Sequence, residues 1–375
     1  MNRTFLYVKY SFLWALALIV CSLALNAAVV SGELQDGPDK PKNIILMIGD
    51  GMGLPQIALM QYRLKNGTPF YLDSFQVVGL QKTHSLSHII TDSGAAATAM
   101  STGNKTYNNA IGVGPDTLPR ENLMELAEQK GIHTGVIVTS SVINATPAGF
   151  VCHQTFRGFS EEIALDFLYH DIDVIIGGGK DYFDKRYTDD RNLVEEMEAK
   201  GYNVQTYYGK HFAEKLSDVE EEKVVIFTGK RDPVQRNQGR DYFPFAVEAT
   251  MEYLAKREKG FFVMAEGSQI DFAGHRTNGE YLIYELLDFH DAIRNAYQFA
   301  KTNKETLVLV TADHECGGLY FEKGKPSNKP VFSFQRNKHT AQMVPVFAFG
   351  PGSEMFNGIY DNTEIYHKIK HLLDL

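Results

Sequence analysis

The sequence predicts an α/β fold: a three-layer sandwich with a mostly parallel central sheet and helices on both faces. Three observations carry this reading. Short, nearly continuous apolar runs recur along the chain, as strands buried on both faces require. Helical patterns lie between many of them, and strand–helix alternation builds this architecture. Acidic and imidazole side chains directly follow three of the runs, and in such sheets ligands gather at the carboxyl ends of the strands.

In chain order, the first element is a targeting segment. Arg3 and Lys9 precede an apolar run over 11–30, and Ala24, Ala27, Ala28 and Ser31 offer cleavage sites. Residues 1–31 read as a cleaved secretory signal, or as an uncleaved anchor, since the run is long enough to span a bilayer. Cys21 follows Val20, where a lipoprotein signal wants a small residue. Residues 32–41 are a polar linker, and 42–375 a single α/β domain. The expected location is outside the cytoplasm, periplasmic or secreted. Without an uncleaved signal there is no stable membrane domain. The buried strands are expected at 43–48, 134–138, 174–176, 223–227, 261–264, 306–310 and 344–349. The helices are expected at 54–64, 93–101, 120–129, 160–169, 192–200, 244–256 and 279–301.

Composition narrows the function. The chain has 375 residues, 44% hydrophobic and 22% charged, with a net charge of −9. That charge gives no reason to expect nucleic acid as a specific partner. An acidic protein that handles phosphate needs local positive charge, and bound cations are one source. Only Cys152 and Cys316 remain after the signal. Export permits a disulfide between them, and two isolated cysteines argue against a thiolate zinc site.

The sharpest motif is Thr91-Asp92-Ser93-Gly94-Ala95-Ala96-Ala97-Thr98-Ala99-Met100. Ser93 precedes a run of small helix formers, so it sits at or near a first turn, where unpaired N–H groups and the helix dipole favour an anion. The plain alternative is an N-cap on a closely packed small-residue helix. Gly49-Asp50-Gly51-Met52-Gly53 puts a carboxylate in a flexible turn; the alternative is a tight strand-to-helix turn capped by Asp. In Glu266-Gly267-Ser268-Gln269-Ile270-Asp271-Phe272-Ala273-Gly274-His275, Asp271 and His275 are spaced i, i+4 and face one side of a helix. A carboxylate oxygen and an imidazole nitrogen suit zinc, whereas a solvated polar loop is the plain reading. Thr311-Ala312-Asp313-His314-Glu315 follows a very apolar strand, and Lys338-His339-Thr340 supplies a third histidine. Asp271, His275 and His339 make one ligand set; Asp50, Asp313, His314 and Ser93 make another. Both have the inventory of a zinc site with an open position. Arg157 is the natural bidentate partner of phosphate oxygens. Thr146, in Asn144-Ala145-Thr146-Pro147-Ala148, offers a hydroxyl to a hard cation such as Mg²⁺ beside Asp50 and Glu266; a strand-ending turn or a glycosylation acceptor are the alternatives for that segment.

These segments, in this order, resemble the alkaline phosphatase family over nearly the whole mature chain, in a bacterial, compact form. The resemblance implies a metal-dependent hydrolase of phosphate monoesters that works through a phosphoserine and releases phosphate at alkaline pH. Ser93 then corresponds to the nucleophile and Arg157 to the substrate clamp. Asp271, His275 and His339 correspond to the ligands of one Zn²⁺, and Asp50, Asp313 and His314 to those of a second. Asp50 bridges to one Mg²⁺ shared with Thr146 and Glu266. Asp92, Asn144 and Phe272 stand beside the set as supporting positions. The chain departs from the family at Asn144, where many members have Asp or His, and at Phe272, where Lys, His or Trp is common. Only 24 residues separate His314 from His339, where larger members insert a crown that helps build the dimer. A monomer, or a homodimer with a reduced interface, is therefore expected. Phosphodiesterase, sulfatase and phosphomutase chemistry of the same superfamily are the neighbouring readings, and an exported phosphate- or metal-binding protein is the non-enzyme one. Gly94-Ala95-Ala96-Ala97 after Ser93 disagrees with a sulfatase motif, and Arg157 favours a monoester, whose free oxygens accept its fork.

Overall fold

The apolar run after the linker, Asn43–Gly49, becomes β1, buried at every residue. Its side chains alternate between two cores. Ile44, Leu46 and Ile48 enter one, and Ile45 and Met47 the other. This period of two, with apolar residues on both faces, places β1 inside a sheet covered on both sides. The computed structural model describes residues 38–207, 223–325 and 329–375. The expected signal over 1–31 and most of the 32–41 linker lie outside the described residues. Among the described residues no helix is long and apolar enough to cross a membrane.

The other strands follow in chain order: β2 Val77–Lys82, β3 His133–Ser141, β4 Val174–Gly178, β5 Tyr202–Thr206, β6 Lys223–Gly229, β7 Phe261–Gly267, β8 Thr306–Thr311, β9 Glu315–Cys316, β10 Leu319–Lys323, β11 Val331–Phe334, β12 His339–Thr340, β13 Val344–Phe349 and β14 Gly358–Asp361. Ten of them form one sheet in the order β14-β2-β13-β8-β1-β7-β3-β4-β6-β5. Helices Ser93–Thr102, Leu123–Gln129, Ala145–Val151, Ser160–Tyr169, Leu193–Ala199 and Thr363–Leu372 contribute to the first core. Helices Leu54–Arg63, Phe243–Leu254 and Gly279–Asn303 contribute to the second. The result is the three-layer α/β sandwich that the alternation predicts.

Three features differ from expectation. The run at 344–349 forms β13, which is antiparallel to both neighbours, β2 and β8. A single buried apolar run carries no signal of direction. Strands β2, β5 and β14 lie at or near the sheet margins and are partly exposed, so they lack the continuous apolar signature. The helix expected from 120 begins at Leu123, because Asn122 caps it: its side chain accepts from the backbone of Met124 and Glu125, and the Glu125 carboxylate accepts from Asn122 N.

Sheet order positions the chemistry. Strands β8, β1, β7 and β3 are consecutive neighbours, mutually parallel. Their carboxyl ends deliver Asp313 and His314, Asp50, Glu266, and Asn144 with Thr146 to one edge. His339 arrives by another route. After His314 the chain enters β9, folds through the antiparallel hairpin β10–β11, and returns as β12, where His339 pairs with Cys316 and Thr340 with Glu315.

Candidate functional site

Ser93 occupies the first position of its helix, and Asp92, not Ser93, is the N-cap. Asp92 Oδ1 accepts from Ala95 N at 3.1 Å and from Asn109 N at 3.0 Å. Its other oxygen accepts from Arg157 Nη1 at 3.0 Å. Burial opposes ionisation of Asp92, but the Arg157 charge and the backbone donors outweigh it and hold the carboxyl below its usual range. One carboxylate thus starts the helix that Ser93 opens and orients the guanidinium. Asn144 holds the same guanidinium from the other side, its Oδ1 lying 3.2 Å from Arg157 Nη2, while also capping the helix Ala145–Val151. An arginine has five N–H donors, so those beyond these two bonds are free to meet a ligand.

Ser93 is 2% exposed. Its Oγ lies 3.3 Å from His314 Nε2. The same ring nitrogen lies 3.1 Å from Asp313 Oδ2 and 3.6 Å from Asp50 Oδ1. Asp313 Oδ1 is already used by the N–H groups of Gly51 and His314. The turn at Gly51 needs glycine: φ is +73°, and a Cβ there would meet Cys316 Cβ at 2.8 Å and Asp271 Cα at 3.1 Å.

A second convergence lies alongside, the His314 and His339 rings stacking at 3.6 Å between centroids. His275 Nε2 and His339 Nε2 face one another at 3.0 Å. Asp271 Oδ2 is 3.3 Å from the first and Oδ1 3.4 Å from the second. Each ring's Nδ1 meets a backbone carbonyl, of Asn337 at 2.8 Å and of Thr91 at 2.9 Å. With a proton on each Nδ1, the two Nε2 atoms face each other and a carboxylate, a place that takes either a shared proton or a cation.

Glu266 and Thr146 are fully buried and Glu266 faces both Thr146 and Asp50. Asp50 Oδ1, Thr146 Oγ1, Glu266 Oε1, Asp271 Oδ1 and Asp313 Oδ2 are all buried without a hydrogen-bond partner. Native proteins rarely leave so many polar atoms orphaned in one place. Burial pushes Glu266 up to about 8 and Asp313 to about 6, and burial with the neighbouring carboxylates raises Asp50 well above its ordinary value. Asp271 goes the other way; the two histidines outweigh its burial and lower it. Four carboxyl groups crowded in a buried space call for cations. The donors present fit zinc at the two Asp/His sets and a harder ion at Asp50, Thr146 and Glu266.

The fold therefore brings together all ten residues read from sequence as nucleophile, clamp or ligands. Asn144 contacts Arg157 directly, a bond that sequence did not suggest. Phe272 packs against the second core. Sequence reasoning missed Cys316. It is a buried free thiol, as is Cys152, and no disulfide joins them. Its sulfur lies in a group with Asp271, His275 and His339 whose ligand atoms are within 4.8 Å of one another. Its position two residues past His314 was the available signal. Gln56 braces this corner, donating to Glu315 Oε1 at 2.7 Å and to Cys316 O at 2.8 Å.

Comparison with known proteins agrees with this geometry. The sequence profile of one family, alkaline phosphatase, matches residues 41–333. Alkaline phosphatase 4 of Bacillus subtilis (strain 168) is 32% identical, over 86% of this chain and 87% of its own. The structure of alkaline phosphatase from the Antarctic bacterium TAB5 is 41% identical and superposes with a TM-score of 0.83, covering 89% of this chain and 98% of that one. A variant of the Antarctic enzyme, solved with Mg bound, superposes equally well at 40% identity.

Proposed function

This chain belongs to the alkaline phosphatase family and hydrolyses phosphate monoesters; we propose that it does so through a phosphoserine at Ser93, with Arg157 as substrate clamp. The proposal includes two Zn²⁺, one held by Asp271, His275 and His339 and the other by Asp50, Asp313 and His314, and one Mg²⁺ held by Asp50, Thr146 and Glu266. Mg bound in the variant of the Antarctic relative supports the third ion. The single observation that carries the reading is Ser93 Oγ, 3.3 Å from His314 Nε2 at the edge of a buried set of orphaned donors.

When bound, such ions polarise phosphoryl oxygens, stabilise a leaving alkoxide and lower the pKa of a nearby hydroxyl. The chain's own residues do the rest. Arg157, steadied by Asp92 and Asn144, binds two unsubstituted phosphate oxygens and aligns phosphorus with Ser93. The first-turn N–H groups of the nucleophile's helix add positive potential there. Ser93 Oγ gives up its proton to solvent and forms the new O–P bond in line as the ester P–O bond breaks, and the departing alkoxide takes a proton from solvent and leaves as the alcohol. Water then attacks the phosphoserine in line, the Ser93 O–P bond breaks, and inorganic phosphate leaves. Two displacements retain configuration at phosphorus. The three site histidines all serve in the ligand sets, so no free imidazole acts as general base. Turnover is expected to rise with pH, as the hydroxyl of Ser93 deprotonates.

Two further parts of the proposal rest on sequence. The apolar segment 11–30 supports export to the periplasm or medium, and the short 314–339 connection supports a monomer or a reduced-interface homodimer. Acid quenching during turnover of a radiolabelled monoester tests the central step. Label is expected on Ser93 and absent from Ser93→Ala; label on another residue would refute the assignment.

A further inference from the structure

Away from the strand ends, a second kind of ligand cluster forms between helices. Glu125 lies in the first turn of the helix Leu123–Gln129. His153 follows the C-terminus of the helix Ala145–Val151. His170 is the C-cap of the helix Ser160–Tyr169. Thr146 opens the helix that His153 follows, so about 10 Å of helix separates the two sites. One ligand atom from each of Glu125, His153 and His170 lies within 4.8 Å of the others.

His153 is the informative member. Its Nδ1 lies 2.7 Å from Gly112 O, and its Nε2 lies 3.0 Å from Glu125 Oε1. Both partners are pure acceptors when the carboxyl is ionised, while a neutral imidazole carries one N–H. Glu125 cannot turn away, because its other oxygen accepts from Asn122 N at 2.8 Å. Either His153 carries a second proton or a cation lies on Nε2. The surroundings favour the cation. A second imidazole, His170, stands beside the pair, its ring centroid 6.2 Å from that of His153. Glu128 Oε2 is 3.9 Å from His170 Nδ1, and Glu128 Oε1 is buried with no partner. Asp166 Oδ2, also close, accepts from His153 N and Gln154 Nε2. The C-terminal end of the Ser160–Tyr169 helix adds negative potential at His170.

We propose that Glu125, His153 and His170 bind a structural zinc ion, with Glu128 as the fourth ligand. Two imidazole nitrogens and carboxylate oxygens suit this borderline ion. A tetrahedral ion with bonds of about 2.1 Å holds its ligand atoms roughly 3.4 Å apart. The ligand atoms of Glu125, His153 and His170, within 4.8 Å of one another, and Glu128 Oε2, 3.9 Å from His170 Nδ1, would have to close to that spacing on binding. The ion ties three helices together. It also anchors the start of the segment in which Gln154 exchanges a pair of backbone bonds with Ile111 and Arg157 N donates to Asn109 O.

Two measurements on the full chain test this. Zinc content by mass spectrometry, after dialysis into metal-free buffer, is expected to fall by about one equivalent per chain in His170→Asn, whose active-site ligands are untouched. Crystals of the unaltered protein, grown without added metal, are expected to show an anomalous peak at the zinc edge among Glu125, His153 and His170. Absence of that peak overturns the site whatever the stoichiometry, and leaves a protonated His153 paired with Glu125. A His170→Asn protein that does not fold leaves the decision to the diffraction experiment alone.

Discussion

Ser93 and Arg157 are held by different devices, and the difference predicts different losses. Ser93 is placed by its helix, so Ser93→Ala keeps the site's shape and removes only the covalent route. Turnover is expected to fall on the order of a thousandfold or more, as when other covalent nucleophiles are deleted. A loss of less than tenfold would show that Ser93 is not the nucleophile. Arg157 is placed by Asp92 and Asn144. Arg157→Ala removes a charge-assisted pair of about 1.5–3 kcal/mol, roughly ten- to a hundredfold in monoester turnover. Diesters lack the second free oxygen and lose less; equal losses for the two substrates would make Arg157 structural. Because Asp92 is held below the usual carboxylate range, it stays ionised across neutral and alkaline pH. Its pairing with Arg157 stabilises the fold above the unfolded carboxyl pKa and is lost only as pH falls through the lowered value. Asn144→Asp adds a negative charge against Arg157 and, if the proposed Mg²⁺ is held by Asp50, Thr146 and Glu266, near that ion. It is expected to lower the magnesium concentration for half-activation of the zinc-loaded enzyme and to slow turnover by tighter product binding. An unchanged magnesium titration would show that residue 144 does not tune that ion.

The helix Ser93–Thr102 is buried at every residue, and small side chains let the helix Ala145–Val151 lie directly on it. A Cβ at Gly149 would meet Ala97 Cβ at 2.7 Å. Gly149→Ala therefore pushes the helix of Ser93 from its partner, at an overpacking cost of about 1–3 kcal/mol. Both melting temperature and turnover are expected to drop; a drop in neither would mean that the two helices tolerate separation. Asn122→Ala removes a cap, a cost of about 1 kcal/mol, readable in a urea titration. These elements also show what sequence could and could not say. The small-residue run and the runs on both faces of β1 were legible because burial on all sides leaves few polar positions. The direction of β13 and the strands β2, β5 and β14 were not, since direction has no local signature and half-exposed margins blur the pattern. Asp50, Asp271 and His314 were legible because each sits in a dense motif at a strand end. Cys316 was not, because its place two residues past His314 becomes meaningful only once the fold brings it to Asp271, His275 and His339. Nor was the cluster of Glu125, His153 and His170, whose members come from three elements brought together only by packing.

Among the described residues, strands β8, β1, β7 and β3 of the ten-stranded sheet end on a shared edge, and that edge concentrates buried carboxylates. Raised values at Asp50, Glu266 and Asp313 are the expected signature of a site built for cations. Removing them is expected to leave these groups mutually repulsive, to lower stability at neutral and alkaline pH, and to abolish catalysis. Light scattering of the mature chain tests the assembly expected from the short 314–339 connection; a tight dimer at nanomolar concentration would contradict it. The most direct test of the metal-supported phosphoserine mechanism is aryl-phosphate hydrolysis by protein stripped with a chelator, verified metal-free, and then titrated with zinc. Activity at alkaline pH is expected to vanish on stripping and to return with added zinc, rising further with magnesium. Full activity in the verified metal-free protein would contradict the mechanism.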